Sequence, residues 1–241
     1  MKQMFETTQI TVRSNKIASP IKIVQISDLH DALYGEAQIG LRDAIQAQSP
    51  DWIAVTGDLF NRKKPKACRN AFALIEAAVK IAPVYVVEGN HEVALGEIGE
   101  QYLSETERRG AAVLRDERTA LLGLNVIGLR QRAERDTLRA MIDPERFNLV
   151  LCHRPELFST YAGVGADLIL CGHAHGGQVR IGQRAIYAPQ QGMFPRYTSG
   201  LYEAEGTRMF VSRGLGDTVI WPRIRNPHEL NVIELLPDSE S

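Results

Sequence analysis

Five short apolar segments of this chain each lead directly into a loop that carries aspartate, asparagine or histidine. The segments cover residues 21–26, 51–56, 83–87, 147–152 and 167–171. Their lengths and their content of Val, Ile and Leu predict buried strands. Apolar residues at helical spacing predict helices over residues 37–48, 66–80 and 97–109, each following one of the first three strands. This alternation favours an α/β architecture with functional groups at the carboxyl ends of strands.

The second half of the chain carries shorter predicted elements. Residues 111–114, 118–122 and 124–129 are separated by turn residues, Asp116-Glu117 and Gly123, which predicts hairpins rather than crossovers. A short helix is predicted over residues 134–141, and strands around residues 178–181, 201–205, 209–212 and 229–235. A parallel half followed by an antiparallel-rich half indicates two mixed sheets packed face to face, with helices outside. Since no linker, repeat or low-complexity stretch interrupts the chain, a single domain over residues 1–241 is predicted.

Charge and cysteine content exclude several classes of protein. With 28 basic and 29 acidic residues the chain has no strong global field, so no specific nucleic-acid binding is expected. Three cysteines without a CxxC pair make no disulfide framework, which favours reduced thiols in the cytoplasm. The first 15 residues lack the apolar core of a signal peptide, and no apolar stretch approaches the ~20 residues of a membrane span. A cytoplasmic protein is expected, with peripheral membrane contact and the oligomeric state left open.

The placement of histidine points to metal chemistry. Five of the six histidines lie just beyond predicted strands, interleaved with Asp28, Asp58 and Asn90. Two divalent ions ~3.5–4 Å apart need one bridging carboxylate, with imidazole, carboxylate and amide ligands completing each shell. Such a pair lowers the pKa of a bridging water and binds the oxygens of a phosphate ester. Taken alone, His173-Ala174-His175 is more typical of an ordinary surface turn than of a ligand pair.

Five spaced motifs together resemble a known family. Asp28-x-His30, Gly57-Asp58, Gly89-Asn90-His91-Glu92, His153 and Gly172-His173-x-His175, in this order, are similar to the motifs of the calcineurin-like metallophosphoesterase superfamily. The resemblance implies a four-layer α/β/β/α sandwich of two mixed sheets. The continuation Gly176-Gly177-Gln178, with residues 212–216 and 225–230, resembles a bacterial phosphodiesterase subgroup related to UDP-2,3-diacylglucosamine pyrophosphatase-like proteins.

The resemblance implies two sets of metal ligands joined by a shared carboxylate. The implied ligands are Asp28, His30 and His175 for one metal, Asn90, His153 and His173 for the other, and Asp58 as the bridge. His91 is implied to protonate the leaving-group oxygen while a metal-bridging hydroxide attacks phosphorus in line. Oxygen and nitrogen ligands without thiolate suit manganese, iron or zinc, and two divalent ions, with manganese first, are expected.

Two neighbours of His91 complete the predicted site. Arg62 stands where relatives often place a phosphate-contacting arginine, although a solvated charged run over residues 61–64 is an equal alternative. Many relatives carry a second aspartate that orients the catalytic histidine, where this chain has Asn61. An amide oxygen still accepts the imidazole N–H but brings no negative charge, so His91 is predicted to be a weaker base here.

The predicted function is hydrolysis of phosphodiester or pyrophosphate bonds in a small-molecule or lipid-linked substrate. The alternatives are a phosphomonoesterase, including a phosphoprotein phosphatase, and a non-catalytic scaffold on the same fold. Residues 187–202 are predicted to form an active-site rim, with an ordered surface loop nearly as well supported. Core packing is favoured over an exposed lipid-binding patch for Met193, Phe194, Trp221 and Ile224.

Overall fold

Two six-stranded sheets form the framework of the chain. The structure is a computed structural model that describes residues 5–181, 184–188, 191–217 and 223–238. The first sheet has the spatial order β1 (Phe5–Ser14), β16 (His228–Pro237), β2 (Ile21–Ile26), β3 (Trp52–Thr56), β4 (Val84–Val87) and β5 (Ala112–Val113). The second has the order β14 (Gly200–Ala204), β15 (Thr207–Val211), β9 (Leu168–Cys171), β8 (Asn148–Leu151), β7 (Leu124–Gly128) and β6 (Glu117–Leu121). Two small hairpins pair β10 (Arg180–Ile181) with β11 (Arg184–Ala185) and β12 (Tyr187–Ala188) with β13 (Gly192–Met193).

Each sheet has a parallel centre. Strands β2 to β5 run parallel, and β16 joins β2 in antiparallel orientation. In the second sheet β7, β8, β9 and β15 run parallel, whereas β6 and β14 are antiparallel edges. The second half of the chain therefore contains antiparallel hairpins, as predicted, but they surround a parallel centre that was not predicted. Every residue of β7, β8 and β9 is buried, as expected of parallel strands that are covered on both faces.

Helices cover the outer face of each sheet. They are α1 (Ile39–Ala47), α2 (Arg69–Ala78), α3 (Asn90–Ala94), α4 (Glu97–Arg108), α5 (Arg135–Met141) and α6 (Phe158–Tyr161). Leu74 of α2 belongs to the same core as Val55 of β3, and Leu138 of α5 to the same core as Val150 of β8. A third core, which contains the fully buried Trp52, fills the space between the two sheets. The predicted four-layer α/β/β/α sandwich is confirmed.

Strand β5 joins the first sheet instead of forming a hairpin with β6. It pairs with β4 in parallel orientation, and the Leu114 N–H donates to the Val86 carbonyl at 2.9 Å. The chain then passes to the second sheet through Asp116, whose φ of 57° is a left-handed turn conformation. The predicted hairpin around Gly123 is confirmed by the antiparallel pairing of β6 with β7. Turn residues mark where a strand ends, but they do not determine which sheet the next strand joins.

The long edge strand β1 was not predicted from the sequence. It pairs with β16 over ten residues, and most of its side chains are exposed or half-buried. An edge strand on this surface needs few apolar residues, so the composition of β1 gave no sign of a strand that pairs with β16. Within the described residues, none of the helices has both the length and the apolar character required to cross a bilayer.

Candidate metal centre

Loops after five strands bring the predicted ligands together at one end of the two sheets. The strands β2, β3 and β4 of the first sheet and β8 and β9 of the second supply these loops. These loops, with the first residue of helix α3, carry all seven predicted metal ligands, Asp28, His30, Asp58, Asn90, His153, His173 and His175. All of them are buried except Asn90, which is half-buried. Buried charged and imidazole groups are stable only when they are paired with an opposite charge, hydrogen-bonded or bound to a metal ion.

The backbone at these loops is held in left-handed conformations. Positive φ values occur at five of the ligands: Asp28 (51°), His30 (50°), Asp58 (54°), His173 (68°) and His175 (47°). For residues other than glycine this conformation costs roughly 1–2 kcal/mol each. Strain of this kind persists where the surrounding structure fixes it, and it is concentrated at functional sites. In these loops the left-handed conformation turns the ligand side chains toward the shared site.

Two glycines permit the loops to pack this closely. A Cβ atom on Gly89 would lie 2.1 Å from Asp58 Oδ1, and one on Gly172 would lie 2.3 Å from Asp28 Oδ2. These distances are far below van der Waals contact, so even alanine at either position would push the carboxylate away. The glycines of the Gly-Asn-His and Gly-His-x-His motifs therefore make room for carboxylates of the neighbouring loop.

The first candidate ligand set consists of Asp28, His30 and His175. His30 Nε2 lies 3.2 Å from His175 Nε2, and His175 Nε2 lies 3.5 Å from Asp28 Oδ1. The backbone N–H of His173 donates to both oxygens of Asp28, at 3.1 and 3.0 Å, and the Ser27 hydroxyl donates to Oδ2. These bonds fix the orientation of the carboxylate toward the two imidazoles.

The second candidate set consists of Asp58, His153 and His173, with Asn90 beside them. His153 Nε2 lies 3.1 Å from His173 Nδ1, 3.1 Å from Asn90 Oδ1 and 3.4 Å from Asp58 Oδ2. His153 Nδ1 lies 2.8 Å from the carbonyl oxygen of Thr56. A hydrogen bond to that carbonyl places the proton on Nδ1 and leaves the Nε2 lone pair for a metal.

Asp58 lies between the two sets. Its Oδ2 is 3.4 Å from His153 Nε2 and 3.8 Å from His30 Nε2, while its Oδ1 accepts the backbone N–H of His91 at 2.7 Å. Crowded carboxylate and imidazole atoms whose lone pairs converge in a buried space fit divalent cations, which prefer this mixture of oxygen and nitrogen donors. The residues present therefore fit the metal ions that the sequence predicted.

Burial and neighbouring charge set the protonation of the ligands. Burial lowers the pKa of His30 to about 3, and lowers the pKa values of His173 and His175 well below their ordinary range. Burial also raises the pKa of Asp28 to about 6. At His153 burial alone would lower the pKa, but Asp58 and Asp28 outweigh it and raise the pKa to about 10. Three imidazoles thus offer lone pairs at neutral pH, whereas His153 holds a proton.

We expect metal uptake to release a proton from His153. The imidazole is protonated below pH 10 in the metal-free protein, and only its neutral form binds a cation. Apparent affinity should therefore rise about tenfold per pH unit between pH 7 and 9, and more steeply below pH 6, where Asp28 is also protonated. Calorimetric titration with manganese in buffers of different ionisation enthalpy measures the proton count. Uptake at pH 8 without proton release would contradict this assignment.

His91 belongs to a third candidate group, with His30 and Asp58, which overlaps the first two sets. Its Nε2 is 3.9 Å from Asp58 Oδ2, and its Nδ1 accepts the backbone N–H of Arg62 at 3.1 Å. A nitrogen that accepts a hydrogen bond carries no proton, so the neutral ring has its proton on Nε2. Burial, followed by the positive charge of Arg62, lowers the pKa of His91. The ring is thus a neutral imidazole whose N–H lies at the metal centre.

Asn61 does not make the hydrogen bond predicted for it. Its amide oxygen accepts the backbone N–H of Lys63 at 3.0 Å. The ring of His91 is bonded instead by the backbone N–H of Arg62, which donates to Nδ1. The prediction of an Asn61 contact with His91 is therefore wrong, because a turn at residues 61–63 satisfies the amide locally. The Arg62 side chain is exposed at the edge of the site.

Glu92 organises the loops, a role that the sequence did not reveal. Its buried carboxylate accepts backbone N–H groups from Asp58 at 2.9 Å, Phe60 at 3.0 Å and Gly89 at 2.6 Å. Burial raises the pKa of Glu92 to about 7. One side chain thus joins the loop after β3 to the start of helix α3, which explains why glutamate follows His91.

Glu156 is a second residue that sequence reasoning missed. Its Oε1 lies 3.9 Å from His173 Nε2, and among the described residues neither carboxylate oxygen nor that ring nitrogen has a hydrogen-bond partner. When His173 Nδ1 ligates a metal, Nε2 must carry the proton, and Glu156 is placed to accept it. Carboxylates that hold a ligating histidine in this way strengthen metal binding.

We expect Glu156→Gln to weaken metal binding about 10–100-fold while the fold is retained, because the charge that supports His173 is lost. Competition with a chelating indicator measures the affinity. Glu145→Gln, at an exposed position, is the matched control. Wild-type metal affinity in Glu156→Gln would show that Glu156 does not support the ligand His173.

The closing motif of the chain supports the Gly-His-x-His loop. The amide of Asn226 donates to the carbonyl oxygen of His175 at 2.7 Å and to that of Gln178 at 3.3 Å. A Cβ atom on Gly176, whose φ is 63°, would lie 2.0 Å from Asn226 Oδ1. Gly176 therefore makes room for Asn226, which joins the closing segment to the loop that carries His175.

Three apolar side chains near the site, which were predicted to pack in the core, are exposed. In the described residues Met193, Phe194 and Ile224 are 61%, 78% and 50% exposed, so the prediction of core packing is wrong for them. Trp221 and the rim residue Pro189 lie outside the described residues. Met193 lies in the short strand β13, Phe194 directly follows it, and Ile224 forms an isolated bridge with Val179.

The fold and the buried Asp/His cluster define a metal-binding α/β protein. The family model of calcineurin-like phosphoesterases matches residues 21–177, a range that includes all seven candidate ligands. The chain therefore belongs to the calcineurin-like phosphoesterase family. It is a metal-dependent phosphoric ester hydrolase.

Two curated bacterial proteins are similar over most of their length. The uncharacterized metallophosphoesterase YkoQ of Bacillus subtilis is 28% identical over 225 residues, which cover 87% of this chain and 82% of YkoQ. The phosphodiesterase YaeI of Escherichia coli is 28% identical over 238 residues, which cover 91% of this chain and 83% of YaeI.

Solved structures share the architecture. The sulfate thiohydrolase SoxB of Thermus thermophilus superposes with a TM-score of 0.54 at 12% identity, covering 89% of this chain and 56% of SoxB. The NAD nucleotidase NadN of Haemophilus influenzae gives a TM-score of 0.53 at 17% identity, covering 84% of this chain and 46% of NadN. At such identities the likeness shows the fold alone.

Proposed function

We propose that the chain hydrolyses phosphodiester or pyrophosphate bonds at a centre of two divalent metal ions. The position of Asp58 carries the proposal, because its Oδ2 faces His30 at 3.8 Å in the first set and His153 at 3.4 Å in the second. A carboxylate shared in this way is the bridge that a dinuclear site requires. Manganese is proposed first, since the ligands are carboxylate, amide and imidazole without thiolate.

The side chains divide the work between binding and proton donation. When bound, the cations supply an activated water and neutralise charge on the phosphate oxygens. Asp28, His30 and His175 would hold one ion, and Asn90, His153 and His173 the other. His91 directs its Nε2 at the same centre and is proposed as the general acid for the leaving oxygen; it would act as the imidazolium, with a proton on Nδ1 replacing the hydrogen bond from the Arg62 N–H, and would return to the neutral ring when Nε2 gives its proton to the leaving oxygen. Arg62, exposed beside His91, is proposed to contact the phosphate.

Diester or pyrophosphate chemistry is supported by the name of the relative YaeI, a phosphodiesterase. The substrate is proposed to be a small molecule or lipid-linked. A hydrolysis screen with manganese tests the proposal, using bis-p-nitrophenyl phosphate, p-nitrophenyl phosphate, cyclic nucleotides, nucleotide-sugar pyrophosphates and a phosphopeptide. The expected result is turnover of diesters or pyrophosphates well above that of monoesters. Preferred turnover of monoesters would reverse the assignment, and less than one metal per chain without turnover would indicate a non-catalytic scaffold.

A further inference from the structure

A cavity of about 470 Å³ opens beside the second ligand set. The candidate ligand Asn90 is part of its wall, as are Val93 and Ala94 of helix α3, the helix that carries His91. The remaining wall comes from loops of both sheets: those after β3 and β4 in the first, those after β7 and β8 in the second, and the connection from β5 to β6. Whatever fills this cavity is therefore in reach of a phosphate held at the metal centre.

Four arginines dominate the wall of the cavity. They are Arg62, Arg130, Arg132 and Arg154. Two carboxylates, Glu88 and Asp116, oppose them, so the formal charge of the wall is two positive. Guanidinium groups bind phosphate oxygens in bidentate fashion and stay charged at every physiological pH.

Both carboxylates of the wall are already engaged by the protein. Asp116 accepts the backbone N–H of Arg130 at 2.9 Å, and Glu88 accepts the backbone N–H of Gln131 at 3.3 Å. Glu88 also lies 3.8 Å from the Arg130 guanidinium. These contacts hold the loop at residues 130–131 in place. The two carboxylates therefore oppose an anion in the cavity less than unpaired carboxylates would.

The arginines differ in how firmly they are held. Arg154 donates from Nε to the amide oxygen of the buried Gln131 at 2.6 Å, and its Nη1 lies 3.6 Å from Glu156 Oε1, a carboxylate outside the wall; both contacts fix its guanidinium. For Arg62 and Arg132, no salt bridge is found to any described residue. The wall thus combines one anchored guanidinium with exposed ones that a ligand can engage.

We propose that this cavity binds a second phosphoryl group of the substrate, distinct from the phosphate that is hydrolysed. The inference rests on the proposed function and narrows it: the substrate carries two phosphoryl groups joined by a short spacer or by a pyrophosphate link. A phosphate monoester dianion matches the formal charge of the wall. A simple diester with two neutral substituents would leave the guanidinium groups without an anion.

Direct binding of matched probes tests the inference. The probes are ethyl phosphate and the bisphosphates of ethane-, propane- and butanediol, titrated by calorimetry into the manganese-loaded full chain. At least one bisphosphate is expected to bind about tenfold or more tightly than ethyl phosphate, since it adds charge-assisted hydrogen bonds. In the double variant Arg130→Gln with Arg132→Gln, this preference should fall below about threefold.

The control and the contrary outcomes separate this inference from the proposed function. Arg139→Gln removes one positive charge from helix α5, where Arg139 pairs with Asp136 at 3.1 Å, and should keep the wild-type preference. Equal binding of ethyl phosphate and all bisphosphates would overturn the inference, even if diesters are hydrolysed. Equally tight binding of 3-phosphooxypropanoate would assign a carboxylate site instead of a phosphate site. Because binding is measured without turnover, a chain that hydrolyses no phosphoester would overturn only the proposed function.

Discussion

Asp58→Asn should abolish hydrolysis, lowering kcat/KM by more than roughly 10³-fold, well beyond the 10–100-fold effect of losing an outer partner of a metal ligand. Asparagine keeps the size of the side chain and its Oδ1 contact with the His91 backbone N–H. It removes the one negative charge that faces both ligand sets. Two divalent cations held close together repel each other strongly, so the shared charge is needed for both to bind.

The metal content of Asp58→Asn distinguishes loss of a bridge from loss of an isolated ligand. After reconstitution with manganese, elemental analysis should find fewer metal ions per chain than in the wild type, with unchanged circular dichroism. Asp136→Asn is the matched control, because it makes the same change in charge at a residue of helix α5 whose side chain is 83% exposed. Two tightly bound ions per chain in Asp58→Asn would show that Asp58 is not the bridge.

The centre was readable from the sequence because its ligands follow strands directly. A β-branched or aliphatic run that ends in Asp28, in Asp58 or in His153 reveals both the strand and the group at its carboxyl end. Parallel strands place all such groups at one edge. The convergence of the seven predicted ligands could therefore be predicted without knowing the elements that lie between the strands.

Residues that act through the backbone were not readable in this way. Glu92 binds three backbone N–H groups, and the role predicted for Asn61 belongs to the N–H of Arg62, which any residue other than proline would provide. Glu156 lies in a helical turn after Pro155, and nothing in its local sequence marks its approach to His173. Such contacts depend on how loops from different sheets meet, which periodicity and spacing do not specify.

The sheet arrangement was partly hidden for a related reason. Strands β7, β8 and β9 are buried along their whole length, which favours parallel pairing, but short apolar runs with turns between them also predict hairpins. The crossover through helix α5 decides between these possibilities, since it lets β8 return parallel to β7. Connection length, more than strand composition, was the informative signal there.

His91→Ala should retain both metal ions and lose about 10²–10⁴-fold in kcat on substrates with a poor leaving group. The predicted cause is loss of the Nε2–H donor, which lies at the metal centre, with Nε2 3.9 Å from Asp58 Oδ2. The loss should be far smaller for p-nitrophenolate, which leaves without protonation, than for an alkoxide of the same diester. Comparing both substrates in wild type and variant separates proton donation from damage to the centre. A loss of equal size on both substrates, with metal content unchanged, would assign His91 to positioning of the phosphate instead of to the leaving oxygen.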